Sequence, residues 1–305
     1  MAQERMKDRL LLIDANSLIH RAYHALPPLT GPQGQPAGAL YGLASVLIKL
    51  FKEEAPRYAA AAFDRKEPTF RKKQYDAYKA TRQPTPDVLI EQLKEAPRLL
   101  KCFGVYPLDA LGYEADDLIA TLATKFSSAE VEVEIMSGDL DILQVVEDGR
   151  VFAQIPKKGI TETVIYKEKG VKERFGVAPR NLADYKGLVG DTSDNIPGVN
   201  GVGPKSATDL LHEFGTVEGI YENLEKIKKD KPALGEKLEV GRESAFMSKS
   251  LATLIKNVPS PDDLNVFAVG DPLKSVEVQR YLEEWGFKTL LKRVEEAKQE
   301  ANRLF

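Results

Sequence analysis

The chain has 305 residues, enough at ~150 residues per domain for two domains. Apolar residues make up 43% and charged residues 29%, which supports an ordinary packed core and excludes a disordered or fibrous chain. Lysine and arginine total 43 against 46 acids, a net charge of −3, so any binding of nucleic acid must rest on local patches.

The chain begins MAQERMKDRLLLIDANS, whose apolar run before Asp14 is too short for the core of a signal peptide. No stretch approaches the ~20 apolar residues of a membrane span, so we expect a soluble, cytoplasmic protein without membrane contact. Cys102 is the only cysteine, which excludes an internal disulfide and any cysteine-based metal cage. Short apolar runs then alternate with segments of helical period, the pattern of an α/β layer fold. Strands are predicted at about 9–14, 58–64 and 131–137, and helices at about 38–52, 86–103 and 115–126. From about 180 the strand-like runs stop and helical segments separated by Gly, Pro and Asn take over, so a domain boundary is placed there: 1–180 and 181–305. The tail from Trp285 reads as a charged, solvated terminal helix.

Nine acids fall at or after these strand ends and in two later turns. They are Asp14; Asp64; Glu114, Asp116 and Asp117 in GYEADDLIA; Asp139 and Asp141 in SGDLD; and Asp191 and Asp194 in GDTSDN. Each cluster alone has a local explanation, as a helix start or an Asx turn. Together, acids at the carboxyl ends of parallel strands would converge and repel one another unless cations neutralise them. The three histidines, His20, His24 and His212, have no metal-ligand spacing, and oxygen-only donors suit magnesium, with manganese as a substitute. Two such ions ~3.5–4 Å apart can activate a water and stabilise the leaving oxygen of a phosphodiester.

Between Asp64 and Pro84 lies a basic run, RKEPTFRKKQYDAYKATRQ, in which Lys66, Arg71, Lys79 and Arg82 are interleaved with Phe70, Tyr75 and Tyr78. Basic residues alternating with rings can track a phosphate backbone and stack bases, although such a run is also a common solvated helix face. Further on, GVNGVGPKSA only approximates a nucleotide phosphate loop, because Pro204 interrupts it and no strand precedes it. What remains is a glycine hairpin opening a helix, able to hold a DNA phosphate through backbone N–H groups.

The runs LLLIDANSLIHRAYHAL, AAFDRKEPTFRKKQYDAYKATR, GYEADDLIATLA, SGDLDILQ and GLVGDTSDNIPGVNGVGPKSA, in this order, resemble the structure-specific 5′ nucleases, the flap endonuclease and 5′–3′ exonuclease family. The branch they match best is the 5′-nuclease domain at the front of bacterial DNA polymerases of type I. The resemblance implies a PIN-like, three-layer α/β domain with a mainly parallel central sheet, then a helical, helix-three-turn-helix DNA-binding region. It implies a two-metal hydrolase acting on branched or nicked DNA with a 5′ single-stranded flap, RNA-primed ends included, in replication and repair.

By the same resemblance Asp14, Asp64, Glu114 and Asp116 surround a first ion, and Asp139, Asp141, Asp191 and Asp194 a second. Asp116 lies between the ions, and Asp117 supports the cluster. A helical gateway at about 65–85 would place Arg71, Lys79 and Arg82 at the scissile phosphate and Tyr75 on the threaded strand, with Lys66 nearby. Gly198, Gly201, Gly203, Lys205 and Ser206 would grip duplex DNA, where the family often binds potassium, and Arg21 and Tyr23 would touch phosphate or base. The resemblance allows an attached polymerase domain in the full-length protein and points to a monomer. The alternatives are an inactive branched-DNA scaffold, which would have lost acids, and a PIN-type ribonuclease, which would be shorter and lack gateway and hairpin.

Overall fold

The structure, a computed structural model, describes residues 7–53, 55–159 and 162–303. Six strands, β1 (Asp8–Asp14), β2 (Tyr58–Ala62), β3 (Tyr106–Leu108), β4 (Val131–Met136), β5 (Val151–Lys158) and β6 (Glu162–Tyr166), form one sheet in the order β3-β2-β1-β4-β5-β6. All neighbours are parallel except β5 and β6. Asp14 ends β1 opposite Ala62 of β2, and Ile13 stands opposite Met136 of β4. The residues just beyond β2 and β4, including Asp64 and Asp139, therefore leave the sheet at the same edge as Asp14.

The central strand LLLI is buried on both faces, as expected of a parallel strand covered on both sides. Leu10 and Leu12 join one core with Ala60, Val133, Ile135 and helix α5 (Ala115–Phe126). Leu11 and Ile13 point the other way, into a second core with α1 (Ala15–Ala25), α2 (Gly38–Glu53) and α4 (Asp87–Cys102). The result is the expected three layers. The short helix α3 (Phe70–Gln74) lies in the basic segment.

After β6 the chain is helical: α6 (Glu168–Phe175), α7 (Leu182–Val189), α8 (Pro204–Phe214), α9 (Val217–Glu222), α10 (Leu224–Asp230), α11 (Pro232–Val240), α12 (Arg242–Ala252), α13 (Val276–Glu284) and α14 (Lys288–Arg303). The glycine hairpin joins α7 to α8. Gly198 has φ +65°, and a Cβ there would lie 2.3 Å from the Gly190 nitrogen, so only glycine fits without moving the backbone. Ser244 donates to the Gly198 carbonyl at 2.6 Å, Ser248 accepts from the Gly198 N–H at 3.0 Å, and Lys237 donates to the Gly201 carbonyl at 3.2 Å. Pro204 then starts α8, where its missing N–H costs nothing.

Two expectations change. The terminal helix is not merely solvated: Leu290, Val294 and Ala297 of α14, with Val278, Tyr281 and Leu282 of α13, complete the core between α2 and α4. Its apolar residues recur at helical spacing on one narrow stripe, which its many charges obscure. The gateway is also largely non-helical, with α3 its only helix and turns through Tyr75–Thr81. Among the described residues no helix is long and apolar enough to cross a membrane.

Candidate active site and nucleic-acid interface

Asp14 is 4% exposed and caps α1, accepting from the Ser17 N–H at 2.9 Å and from the Ser137 hydroxyl at 2.7 Å. Burial, with nearby Asp64 and Asp139 adding to it, pushes its pKa up to about 7 against these hydrogen bonds. Asp64 receives the Ala115 N–H at 2.8 Å, so the end of β2 holds the start of α5, and its own N–H donates to Asn16 Oδ1 at 3.2 Å. In the first turn of α5 stands Asp116, whose Oδ1 is buried without a hydrogen-bond partner. Burial and the charges of Asp139, Asp14 and Asp64 raise its pKa well above the carboxylate range, with Lys79 opposing. Asp139 is raised too, chiefly by burial, with Lys186 pulling down and Asp194 pushing up.

These acids line a cleft of about 610 Å³ shared by Asp14, Asp64, Glu114, Asp116 and Asp139, with Lys79 and Arg82 at its side. It adjoins a second cleft of about 680 Å³ that takes in Asp141, Asp191 and Lys186, with Asp139 and Arg82 common to both. Asp191 accepts from Ser193 at 2.8 and 2.6 Å and from Lys186 at 2.5 Å, and Asp141 accepts from Lys186 as well. Burial raises the Asp191 pKa, but Lys186 and Ser193 together hold it below its ordinary value.

Other predicted residues lie elsewhere or are occupied. Asp117 is fully buried and turned from the cleft, accepting two hydrogen bonds from Arg71 at 2.7 Å, one from the Ile255 N–H at 2.9 Å and one from the Glu114 N–H at 3.1 Å. Its carboxylate lies outside both clefts and ties the start of α5 to Arg71 and to Ile255. Arg71, placed by expectation at the scissile phosphate, is only 1% exposed, and that placement is corrected. Besides Asp117 and Glu114, its guanidinium donates to the Leu251 and Thr253 carbonyls, both at 2.8 Å, so it joins the basic segment to α5 and to the end of α12.

Glu114 accepts from Tyr78 at 3.1 Å and pairs with Lys79 at 3.0 Å, while Asp194 pairs with Arg82 at 2.6 Å and accepts from Tyr78 at 3.2 Å. Glu114 lines the first cleft, whereas Asp194, expected at the second ion, is buried and lines neither cleft; both are partners of the basic segment. Lys79 holds φ +55° and its N–H donates to the Asp194 carbonyl at 2.9 Å, a strained backbone fixed by the loop it rests on. Tyr75 packs beside Tyr78, Lys66 is exposed, and Lys205 and Ser206 open α8 beyond the exposed Gly201 and Gly203. Arg21 donates to the Gly159 and Lys157 carbonyls at 2.7 and 3.1 Å, bracing the end of β5, and Tyr23 packs edge-on to His24.

Sequence reasoning missed Lys186, Ser137, Asn16 and His20. His20 lines the first cleft, and its pKa is lowered by burial and then by His24 and Arg82. Lys186 had a readable signal, since it stands in α7 five residues before Asp191.

A divalent cation fits this donor set. Among the described residues no three acids close into a ready-made ion cage, and Lys79, Arg82 and Lys186 hold carboxylate oxygens of Glu114, Asp194, Asp141 and Asp191. The orphaned Asp116 oxygen and the raised acids nevertheless mark negative charge that the protein's own cations leave uncompensated. Chemically, the arrangement combines oxygen ligands at parallel strand ends with a basic wall and a backbone hairpin. That combination suits an enzyme of phosphodiester backbones.

Comparison with known proteins leads to the same class. Residues 9–176 match the 5′-3′ exonuclease N-terminal resolvase-like domain and residues 177–275 the 5′-3′ exonuclease C-terminal SAM fold. Among curated proteins, DNA polymerase I of Caldicellulosiruptor bescii is 40% identical over 94% of this chain, and that of Bacillus subtilis 39% over 97%. The chain spans about a third of the length of these relatives (33% in each case). Among solved structures, the zinc-bound T5 5′-exonuclease superposes with a TM-score of 0.67 at 22% identity, covering 95% of this chain and 98% of the other. The catalytic core of Rad2 in complex with DNA substrate gives 0.62 at 17% identity, covering 95% and 94%. The chain belongs to the 5′-3′ exonuclease family. The PIN-like mainly parallel sheet and the helical second region are as the sequence led us to expect.

Proposed function

We propose that this chain hydrolyses phosphodiester bonds of DNA at 5′ ends, nicks and 5′ flaps, with magnesium as its cofactor and manganese able to substitute. The observation that carries this reading is the buried, unpartnered Asp116 Oδ1 in a cleft it shares with Asp14, Asp64 and Asp139. Those four residues would hold one ion, and Asp141 and Asp191, with Asp139 between the clefts, a second. When bound, the ions would acidify a water and stabilise charge on the leaving oxygen.

The protein's own groups do the rest. Ser17 and Ser137 fix the orientation of Asp14, and the Ala115 N–H fixes Asp64. Lys79 and Arg82, held at the cleft by Glu114 and Asp194, offset the charge of the phosphate, and Lys66 and Tyr75 extend the strand path. The hairpin at Gly198, Gly201 and Gly203 with Lys205 and Ser206 grips duplex backbone without reading its sequence, with potassium at its carbonyls. A division near residue 180 leaves the hairpin that grips duplex in the second region, which also contributes Asp191 to the cleavage site. We assign the protein to replication and repair in the cytoplasm, as a monomer that accepts RNA-primed ends and carries a polymerase region in its full-length form.

A 5′-labelled flap, matched single strands and blunt duplex, each with magnesium and then with chelator, test the proposal. Magnesium-dependent cutting near the flap junction is expected, and Asp116→Asn should lower it by about 10³-fold while duplex affinity stays. Tight junction binding without any cutting would replace this reading with that of a scaffold.

A further inference from the structure

Lys186 projects from α7 toward the end of the second cleft, and its ammonium lies between the carboxylates of Asp141 and Asp191. The three side chains are only 11–16% exposed, so the contact is partly withdrawn from water and stronger than an exposed pair. In the other half of the site the cations Lys79 and Arg82 are paired with Glu114 and Asp194, while Asp116 Oδ1 has no hydrogen-bond partner and Asp14 meets only hydroxyl and backbone donors. Among the described residues Asp141 and Asp191 thus share a direct ammonium contact, and Asp14 and Asp116 have none. A single positive charge also leaves the Asp141–Asp191 pair half neutralised. An ammonium on a flexible four-carbon stem is a point charge that can leave, unlike a planar guanidinium fork locked by several bonds.

We propose that Lys186 is a resident counter-ion for Asp141 and Asp191 that a divalent cation must displace, so that the two ion positions fill with unequal affinity. The position at Asp14, Asp64 and Asp116 fills first. The position at Asp141 and Asp191 fills only when Lys186 swings out into the adjoining cleft, where a DNA phosphate would receive it. Lys186 is therefore a positioning residue that couples the second ion to substrate. The inference rests on the divalent-metal reading above.

Manganese titrations of the whole chain, followed by the electron paramagnetic resonance of free Mn²⁺, test it without any cleavage assay. The wild-type chain should show a tight and a weak class of site, and Lys186→Met should tighten the weak class by about tenfold and leave the tight class alone. Lys186→Arg, which keeps the charge, should leave the weak class weak. The unfolding midpoint of Lys186→Met in chelator should fall below wild type, since two acids lose their counter-ion, and manganese should restore it. Unchanged or weaker manganese binding by a folded Lys186→Met chain would overturn the proposal alone. Absence of manganese binding by wild type and variants alike would overturn the metal reading beneath it.

Discussion

Asp116 and Asp117 are consecutive at the start of α5, yet Asp116 Oδ1 meets no donor while Asp117 accepts four hydrogen bonds. They represent two regions that share one residue type. In the cleft, Asp14, Asp116 and Asp139 are crowded together and raised above their ordinary range. In the seam between the basic segment and the helical region, Glu114, Asp117 and Asp194 are held by Arg71, Lys79, Arg82 and Tyr78. The seam spends its carboxylates on joining elements distant in sequence, whereas the cleft keeps its own poorly matched and available to a cation. An acid's partners, more than its type, separate structural work from chemistry.

The comparison is broken most severely at Arg71. Arg71→Ala leaves Asp117 buried and unpaired and releases the Leu251 and Thr253 carbonyls, so a loss of about 3–5 kcal/mol is expected in urea unfolding. A change under ~1 kcal/mol, the range of an exposed ion pair, would mean that the seam does not hold the regions together.

Glu134 on β4 sharpens the comparison because it is fully buried with partial partners, Gln154 at 2.7 Å and Arg9 at 3.5 Å. Burial raises its pKa from 4.5 to about 7, with Arg9 opposing. Below pH 4.5 it is protonated in both folded and unfolded chains and has no effect on stability. As pH rises, the unfolded chain releases this proton first, so the folded state loses stability up to about pH 7 and carries the full penalty above it. Glu134→Gln should remove that slope and gain roughly 2 kcal/mol over wild type at pH 8, vanishing near pH 4. Unfolding curves that run parallel across this range would refute the assignment.

The smallest expected shift in stability is at Asp116. Asp116→Asn removes a charge with no partner at Oδ1, and in chelator the unfolding midpoint should rise by about 2–4 °C. Divalent ions, which stabilise the wild type, should raise the variant less. A fall in midpoint without metal would show that Asp116 belongs with the paired acids of the seam.

The site's backbone plan was readable from strand ends: acid after LLLI, acid after AAAAF and acids after EVEIM all emerge at one edge. Helices α2, α4 and α5 were readable from their apolar period. Strand β3 was not, being three residues long around Pro107, and β5 and β6 were hidden by Pro156, paired lysines and the exposed edge face of Val164 and Ile165. Arg71 looked like one more surface cation because its burial depends on carbonyls about 180 positions further along the chain. Lys186 went unnoticed because its significance lies in an acid of another element, Asp141.

The family match ends at residue 275, but the core between α2 and α4 does not: it is closed by Val278, Tyr281, Leu282, Leu290 and Val294. During synthesis from the amino end, the sheet, its acids and the hairpin all emerge from the ribosome before the helices that seal their second face. Assembly of the cleft is thereby tied to the last segment of these residues to be translated. A nascent chain stalled before α13 would carry every carboxylate of the site on a scaffold whose second face is still open.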